Sequence, residues 1–370
     1  MIVAHLDLDA FFAAVEELED PSLKRVPLVV GGDPHGRGVV ATANYVARGF
    51  GVRSAMSCAE ALRRCPHAVF VRPRHGLYSQ YSDVVWETVA GVVPAIERTG
   101  LDEGYLDLGS VADDFARARV VAEAVQTAVR GATSLSCSLG VGTSKVVAKV
   151  ASDRRKPGGI TVVRPGTERA FLAPFDLRLL PGIGPRTEER LRGLGLDTLG
   201  ALAGLADADL DAHLPGKVGR MLRDRAQGVD HRPFEPPTRS ISISAEETFE
   251  RDLTDPTALH AEVRRLSEHV AERLTGGGRA ARTVTTKVRY ADFSIRTRSA
   301  SLPVGTDDAI RIADLACAQL DRALVDRPGA LRLVGVGVSS LEGYRQLTLP
   351  LRPASAGGVG ATPEPAGEPK

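Results

Sequence analysis

"TGLDEGYLDLGS", residues 99–110, sets two carboxylates, Asp102 and Glu103, side by side in otherwise apolar sequence. Adjacent carboxylates repel each other and resist leaving water, so the segment calls for something positive between them. A regular strand would send the two side chains to opposite faces. A shared cation therefore needs a hairpin tip or a bulge, and Gly100 and Gly104 permit either. Taken alone, the stretch reads better as an exposed hairpin whose acidic tip faces water.

Its meaning changes beside the start of the chain. "MIVAHLDLD", residues 1–9, alternates as a strand, with Ile2, Ala4, Leu6 and Leu8 on one face and Val3, His5, Asp7 and Asp9 on the other. A helix is expected next, with Asp9 as its N-cap, Phe11, Val15 and Leu18 as its buried stripe, and Phe12 off that stripe. Asp7 at a strand end, with Asp102 and Glu103 also flanked by strand sequence, makes a set of three carboxylates. Such a set can hold two Mg²⁺ about 4 Å apart, which stabilises the attacking and leaving oxygens in phosphoryl and nucleotidyl transfer. Singly, each acid suits a cap or the surface.

The chain has 370 residues, 43% of them apolar, enough for two to four units with real cores. No run approaches the ~20 apolar residues of a membrane span, and the N-terminus lacks a basic region followed by a long apolar run. We read the protein as cytosolic. Cys58, Cys65, Cys137 and Cys317 form no CxxC pair or zinc-spaced cluster and are expected to be reduced. The net charge of +1 excludes a whole-chain argument for nucleic acid. A local one exists at 279–298, where Arg279, Arg282, Lys287, Arg289, Arg296 and Arg298 face one acid, Asp292.

Short strands at "VPLVVGG" and "GRGVVATANY" and a helix at "AMSCAEALRRCP" form a small unit to about residue 75. Helix and strand then alternate to "TVVRPG", residues 166–230 read as helical throughout, and the proline-rich "VDHRPFEPPTRS" reads as a linker. An α+β unit follows, with strands at "RSISISAEETF", "TVTTKVRYADFS" and "LRLVGVGVSSL" and two helical stretches. The Gly/Pro/Ala-rich end of the chain is expected to be disordered.

Further motifs carry chemistry. In "ATANYVARGFGV", Tyr45 and Arg48 share one face of a helical turn and could grip a triphosphate, although an ordinary amphipathic turn fits as well. "GTSKVVAKVASDRRKPGG" places Lys145 and Lys149 one helical turn apart, ahead of Lys156, which is read as facing phosphate. In "LLPGIGPRTEERLRGLG", Gly182-Ile183-Gly184 makes a tight turn between helices, suited to offering backbone N–H groups to a DNA phosphate as in a helix-hairpin-helix. "TVTTKVRY" alternates a packing face with a cationic one carrying Lys287 and Arg289, which a solvated sheet surface would also explain. "QLTLPL" stands at the junction with the tail and invites a partner's groove.

In order and spacing, "DLDAFFAAVEE", "ATANYVAR", "LDEGYLD", "SLGVGTSKVVAKVASDRRKPGGI" and "LPGIGPRTEERL" resemble the Y-family translesion DNA polymerases, of the bacterial DNA polymerase IV type, over roughly residues 1–351. The resemblance implies a multidomain α/β and α+β right hand. Its palm would be 1–11 and 76–165, its fingers 12–75, and its helix-hairpin-helix thumb 166–230. A linker at 231–240, a little finger at 241–345, a clamp-binding peptide at 346–351 and a disordered tail at 352–370 would complete it.

It further implies that Asp7, Asp102 and Glu103 are catalytic and, with the Leu8 carbonyl, hold two Mg²⁺. Phe11, Phe12, Thr42, Tyr45, Arg48 and Lys156 would contact the nucleotide, with Phe12 as steric gate under the sugar. Lys145, Lys149, Gly182, Gly184, Lys287 and Arg289 would contact DNA. Gln346, Leu347, Leu349, Pro350 and Leu351 would bind the bacterial sliding clamp. The implied partners are primer-template DNA and dNTP, with no membrane, and the protein is expected to be a monomer. One departure is Gly100, where the family usually has Ser, which leaves the hairpin's geometry to be established. A nucleotide cyclase would need neither the helix-hairpin-helix nor the basic α+β unit, and a non-catalytic DNA- or clamp-binding protein would not need the complete carboxylate set.

Overall fold

Alternation at the start of the chain builds the centre of the first unit. The computed structural model describes residues 1–206, 208–210, 214, 216–235 and 240–343. These fall into two units divided after residue 239. In chain order the first contains β1 (Val3–Leu8), α1 (Phe11–Glu19), β2 (Leu28–Gly31), β3 (Val40–Ala43), α2 (Tyr45–Gly49), α3 (Cys58–Arg64), β4 (Val69–Val71) and α4 (His75–Ala90). It continues with β5 (Ile96–Arg98), β6 (Glu103–Asp107), α5 (Phe115–Thr133), β7 (Cys137–Gly142), α6 (Lys145–Ser152), β8 (Ile160–Val162), α7 (Glu168–Leu172), α8 (Pro185–Arg192), α9 (Leu199–Ala203) and a helix Lys217–Ala226.

Strand β1 is central in a five-stranded sheet of order β5-β6-β1-β7-β8. Ala4, Leu6 and Leu8 enter a buried cluster with Val85 and Val89 of α4 and Ala118, Ala122 and Val125 of α5. The odd-numbered residues Val3, His5 and Asp7 lie on the other face, where Val3 packs with Ala148 of α6 and His5 bonds to Ser152. The period of two therefore puts apolar side chains under one helical layer and the polar ones on the face that carries α6.

Helix α1 buries Phe11 and Val15 as expected but leaves Leu18 only half-buried, and its N-cap is Ala10, in the left-handed region at φ 48°, with no side-chain cap. Asp9 is not the cap, because its carboxylate is taken up by other donors described below. A three-stranded sheet, β3-β2-β4, with α2 and α3 makes a smaller layer around Val29, Val40, Ala47 and Cys58. Helix α1 spans the residue-12 boundary expected between palm and fingers and packs Phe11, Ala13 and Val15 into the cluster of the larger sheet. Among its described residues the segment from α7 to Ala226 has helices and turns and no strand, with leucines such as Leu172, Leu177, Leu191 and Leu222 closing a core against Val146 and Val150 of α6.

The second unit has β9 (Ser242–Leu253), a helix Pro256–Gly276, β10 (Arg279–Tyr290), β11 (Ile295–Thr306), a helix Ala309–Asp326 and β12 (Leu331–Gly343). Its sheet order is β11-β10-β12-β9, all antiparallel. Val284, Val288, Val334, Val336 and Val338 pack with Leu259, Val263, Val270, Ile312 and Leu320 of the two helices. Strand β11 is absent from the sequence reading. It is an edge strand with an exposed, polar pattern and Pro303 inside it, and an edge is where a proline costs no ladder bond. Among the described residues no helix is long and apolar enough to cross a membrane, and Cys58, Cys65, Cys137 and Cys317 are buried free thiols. Residues 346–351 and the tail lie outside the described residues.

Candidate active site

The acidic pair sits where β5 turns into β6. Thr99 and Gly100 donate their backbone N–H groups to the Glu103 carbonyl at 3.1 and 3.0 Å, closing the hairpin. Asp102 stands at the tip, outside the strand, and its carbonyl accepts from Leu8 N–H at 2.9 Å. Glu103 opens β6 and pairs in register with Asp7. A tip residue beside a strand residue is how two neighbouring carboxylates escape opposite faces. Of the two glycines, Gly104 is required for close approach, because a Cβ there would lie 2.6 Å from Trp86 Cη2 and 2.9 Å from the Glu97 carbonyl. A Cβ on Gly100 would meet nothing nearer than Asp102 Oδ1 at 3.4 Å, an ordinary contact.

Positive charge does stand among the carboxylates, in the form of two lysines. Lys156 Nζ lies 2.7 Å from Asp7 Oδ1 and 2.8 Å from Asp153 Oδ1. Lys149 Nζ lies 2.5 Å from Glu103 Oε2, which also has His5 Nε2 at 3.6 Å. Hydrogen bonding from His5 and then Lys149 outweighs partial burial and holds the Glu103 carboxyl down at about 2. Burial pushes the Asp7 carboxyl up despite Lys156, and burial with the neighbouring Glu103 charge pushes Asp102 up. Burial lowers His5, whose Nδ1 is 2.9 Å from Ser152 Oγ.

With Asp7 turned to Lys156 and Glu103 to Lys149, no three His, Cys, Asp or Glu side chains form a metal centre among the described residues. The donor chemistry nevertheless fits a hard divalent cation. It consists of carboxylate oxygens with the Leu8 backbone beside them, and burial holds Asp7 and Asp102 above their usual range, which a bound cation would offset.

Phe12 is half-buried, and its ring stacks on Tyr78 at 4.2 Å and 15° with His75 edge-on at 5.8 Å. Tyr78 is fully buried and donates its hydroxyl to Glu16 Oε1 at 2.5 Å, and Glu16 is in turn clamped by Arg74. Phe11 lies in the core itself. On α2, Tyr45 is exposed and Arg48 sets its guanidinium 5.1 Å from the Tyr45 ring centroid while donating Nε–H to the Ala43 carbonyl. Thr42 is half-buried on β3 just before them.

Sequence reasoning missed Asn44, the N-cap of α2. Its amide oxygen accepts from Leu28 N–H and Ala47 N–H, and its NH₂ donates to Glu17 Oε1 and the Val26 carbonyl. The available signal was an Asn directly before a helical turn.

Lys145 corrects the DNA-contact expectation. Only 2% exposed, its ammonium bonds to Glu97 Oε2 and the Pro233 carbonyl, both at 2.5 Å, with the Tyr105 and Phe234 rings around it. Lys149 is turned into the carboxylate cluster. Gly182 takes φ 106°, the left-handed conformation the tight turn requires, and Gly184 caps α8 with open space where a Cβ would stand. The Ile183 N–H is spent on the Leu180 carbonyl.

In the second unit Lys287 and Arg289 alternate with buried Val288 and Tyr290, on the sheet face away from the helices. The charge excess is smaller than the sequence suggests, because Arg282, Lys287 and Arg298 pair with Glu342, Glu246 and Asp326 from neighbouring elements. Arg289 keeps a buried Nε without a hydrogen-bond partner.

Comparison with known proteins returns one family over both units. Residues 6–153 match the impB/mucB/samB family, residues 240–349 the C-terminal domain of that family, and residues 178–230 the DNA polymerase-iota thumb domain. The chain is 40% identical over 354 residues to a DNA polymerase IV of Dehalococcoides mccartyi, covering 96% of this chain and 90% of the relative. It is 43% identical over 341 residues to that of Halorhodospira halophila, covering 92% and 95%. The DNA polymerase IV of Streptomyces coelicolor is 42% identical over 347 residues, 93% of this chain and 72% of the relative. A solved Y-family DNA polymerase chimera superposes with a TM-score of 0.84 at 26% identity, over 93% of this chain and all of the other.

Proposed function

Because the chain belongs to the DNA polymerase IV family of Y-family DNA-directed DNA polymerases, we propose that it extends a primer 3′-OH with dNTPs opposite undamaged and damaged template, at low fidelity, in DNA damage tolerance. The observation that supports this most directly is the β1–β6 register, which sets Asp7 against Glu103 while Leu8 holds Asp102 by a backbone bond.

Asp7, Asp102 and Glu103, with the Leu8 carbonyl, are the residues that would hold two Mg²⁺, whose charge would favour the attacking 3′-oxygen and the leaving pyrophosphate. Lys149 and Lys156 neutralise the acids before the ions arrive. Lys156 is then available to the triphosphate, together with Tyr45 and Arg48 from α2. Thr42 borders the same group, and Phe11 underpins Phe12. Phe12, backed by Tyr78, presents a ring against which a 2′-OH would find neither room nor a hydrogen-bond partner. The turn at Gly182 and Gly184 and the strand carrying Lys287 and Arg289 grip the DNA backbone without reading sequence.

Within this reading the protein works as a cytoplasmic monomer, and Gln346 to Leu351 dock on the bacterial sliding clamp. Palm, fingers, thumb and little finger divide as the motifs suggest, at 1–11 with 76–165, 12–75, 166–230 and 241–345. Primer extension on matched plain and lesion-bearing templates tests the function. Extension on both is expected, and DNA binding without extension would overturn it. Removing 346–351 should leave unaided extension intact while abolishing stimulation by the clamp. Unchanged stimulation would assign the clamp contact elsewhere.

A further inference from the structure

Asp9 belongs to none of the roles assigned above, yet it is 4% exposed and gathers donors from three parts of the first unit. Its Oδ2 accepts from Ser136 Oγ at 2.7 Å and from the Gly158 backbone N–H at 2.8 Å. Its Oδ1 accepts from Ser138 Oγ at 2.8 Å and, at 3.4 Å, from the Tyr45 hydroxyl. Ser136 and Ser138 lie at the start of β7, Gly158 lies two residues beyond Lys156, and Tyr45 opens α2. The backbone adds a further tie, from Asp9 N–H to the Ser136 carbonyl at 2.9 Å.

We propose that Asp9 is a positioning residue for the incoming nucleotide, a buried acceptor that ties the Tyr45 hydroxyl to the turn carrying Lys156. The inference rests on the assignment of Tyr45 and Lys156 to the triphosphate. Three short bonds fix the carboxylate in the palm, whereas the bond to Tyr45 is at the outer limit of hydrogen-bond length and is the one readily exchanged. A cavity of about 330 Å³, lined among others by Asp9, Tyr45, Ser136 and Pro157, adjoins this bond, so the tyrosine is backed by space rather than by packed core. Tyr45 can thus be held ready without a ligand and turn its hydroxyl to a phosphate oxygen when one arrives, while Asp9 keeps its other donors and the Lys156 turn stays in place.

Asparagine at this position separates the two functions. The Gly158 N–H can only donate, so the amide oxygen must stay on that side, leaving the NH₂ toward Ser138 and Tyr45. Their hydroxyls would have to accept from a neutral amide instead of donating to a carboxylate, so Tyr45 would be held more weakly while the turn is kept.

The test is steady-state dNTP incorporation by the full chain bearing Asp9→Asn, Tyr45→Phe, or both. Melting temperature and DNA affinity are measured alongside. Tyr45→Phe, which loses the bond to phosphate itself, is expected to raise the KM for dNTP about five- to tenfold, and Asp9→Asn, which only loosens the tyrosine beforehand, about two- to threefold, with kcat within about twofold for both. The double variant should be no worse than Tyr45→Phe alone, because Asp9 acts only through the Tyr45 hydroxyl. If Asp9→Asn melts too low to assay, Ser136→Ala, which removes one of the carboxylate's donors, should raise KM about two- to threefold instead. An unchanged KM, a loss confined to kcat, or multiplying effects in the double variant would overturn the inference while the polymerase reading stands. No extension by the unmodified chain would overturn both.

Discussion

Asp7 and Glu103 face each other across the β1–β6 ladder, and each carboxylate is held by its own lysine, Lys156 on the one and Lys149 on the other. Two ammonium groups thus occupy the neighbourhood of three acids, which accounts for an acid-rich strand end folding without collapse of its charges. Replacing Lys149 by Met should push the Glu103 carboxyl up from about 2, because one of its two hydrogen-bond donors is lost.

Stacking of Phe12 on Tyr78 predicts a change in sugar selection on truncation. Phe12→Ala should narrow the ratio of kcat/KM for dCTP over CTP opposite template G by at least about tenfold, or ~1.4 kcal/mol. Stability should fall by less than the roughly 3–5 kcal/mol of a fully buried phenylalanine, since the ring is only half-buried. An unchanged ratio in a folded variant would leave Phe12 a packing residue only.

The hairpin glycines should respond differently. Gly104→Ala forces a methyl group into Trp86 and the Glu97 carbonyl and should cost about 1–3 kcal/mol, read as a lowered denaturation midpoint. Gly100→Ser, which restores the residue usual in the family, meets only an ordinary contact and should leave stability within about 0.5 kcal/mol.

Burial of Lys145 gives a prediction opposite to that of a DNA contact. Lys145→Ala leaves Glu97 without its ammonium partner and should destabilise the fold by about 3–5 kcal/mol, with no change in the salt dependence of DNA affinity. A flattened salt slope in a stable variant would reinstate the DNA contact.

On the second unit, Arg289→Ala should lower the slope of log affinity against log salt by about one, whereas Lys287→Ala should lower it by less because Glu246 already pairs that charge. Glu246→Ala should steepen the slope. Equal slopes for all three would mean that this sheet face does not meet phosphate.

The local patterns that were legible share a simple physics. The β1 alternation follows from period and the grouping of Asp7, Asp102 and Glu103 from charge, and the strand at β10 buries one clear face. Edge strand β11 buries only Thr306 and otherwise alternates exposed with half-buried positions, so its sequence carries a weak signal. Lys145 and Lys149, one turn apart, read as a solvated face. Helix α6 is buried along almost all of its length, however, and the apolar residues on every side of it were the overlooked sign. Asp9 was assigned to a cap because capping is the local use of an aspartate before a helix. Its actual partners at 136, 138 and 158 are set by the fold and are invisible to any short window.

The central claim is that Asp7 and Asp102 do the chemistry while other residues grip DNA and nucleotide. Single-turnover incorporation of one dNTP by Asp7→Asn and Asp102→Asn, with DNA affinity measured on the same preparations, tests it most directly. The account predicts a loss on the order of 10³-fold or more in rate, about 4 kcal/mol, with DNA affinity within about twofold of the unmodified chain. Incorporation at the unmodified rate by either variant would contradict it.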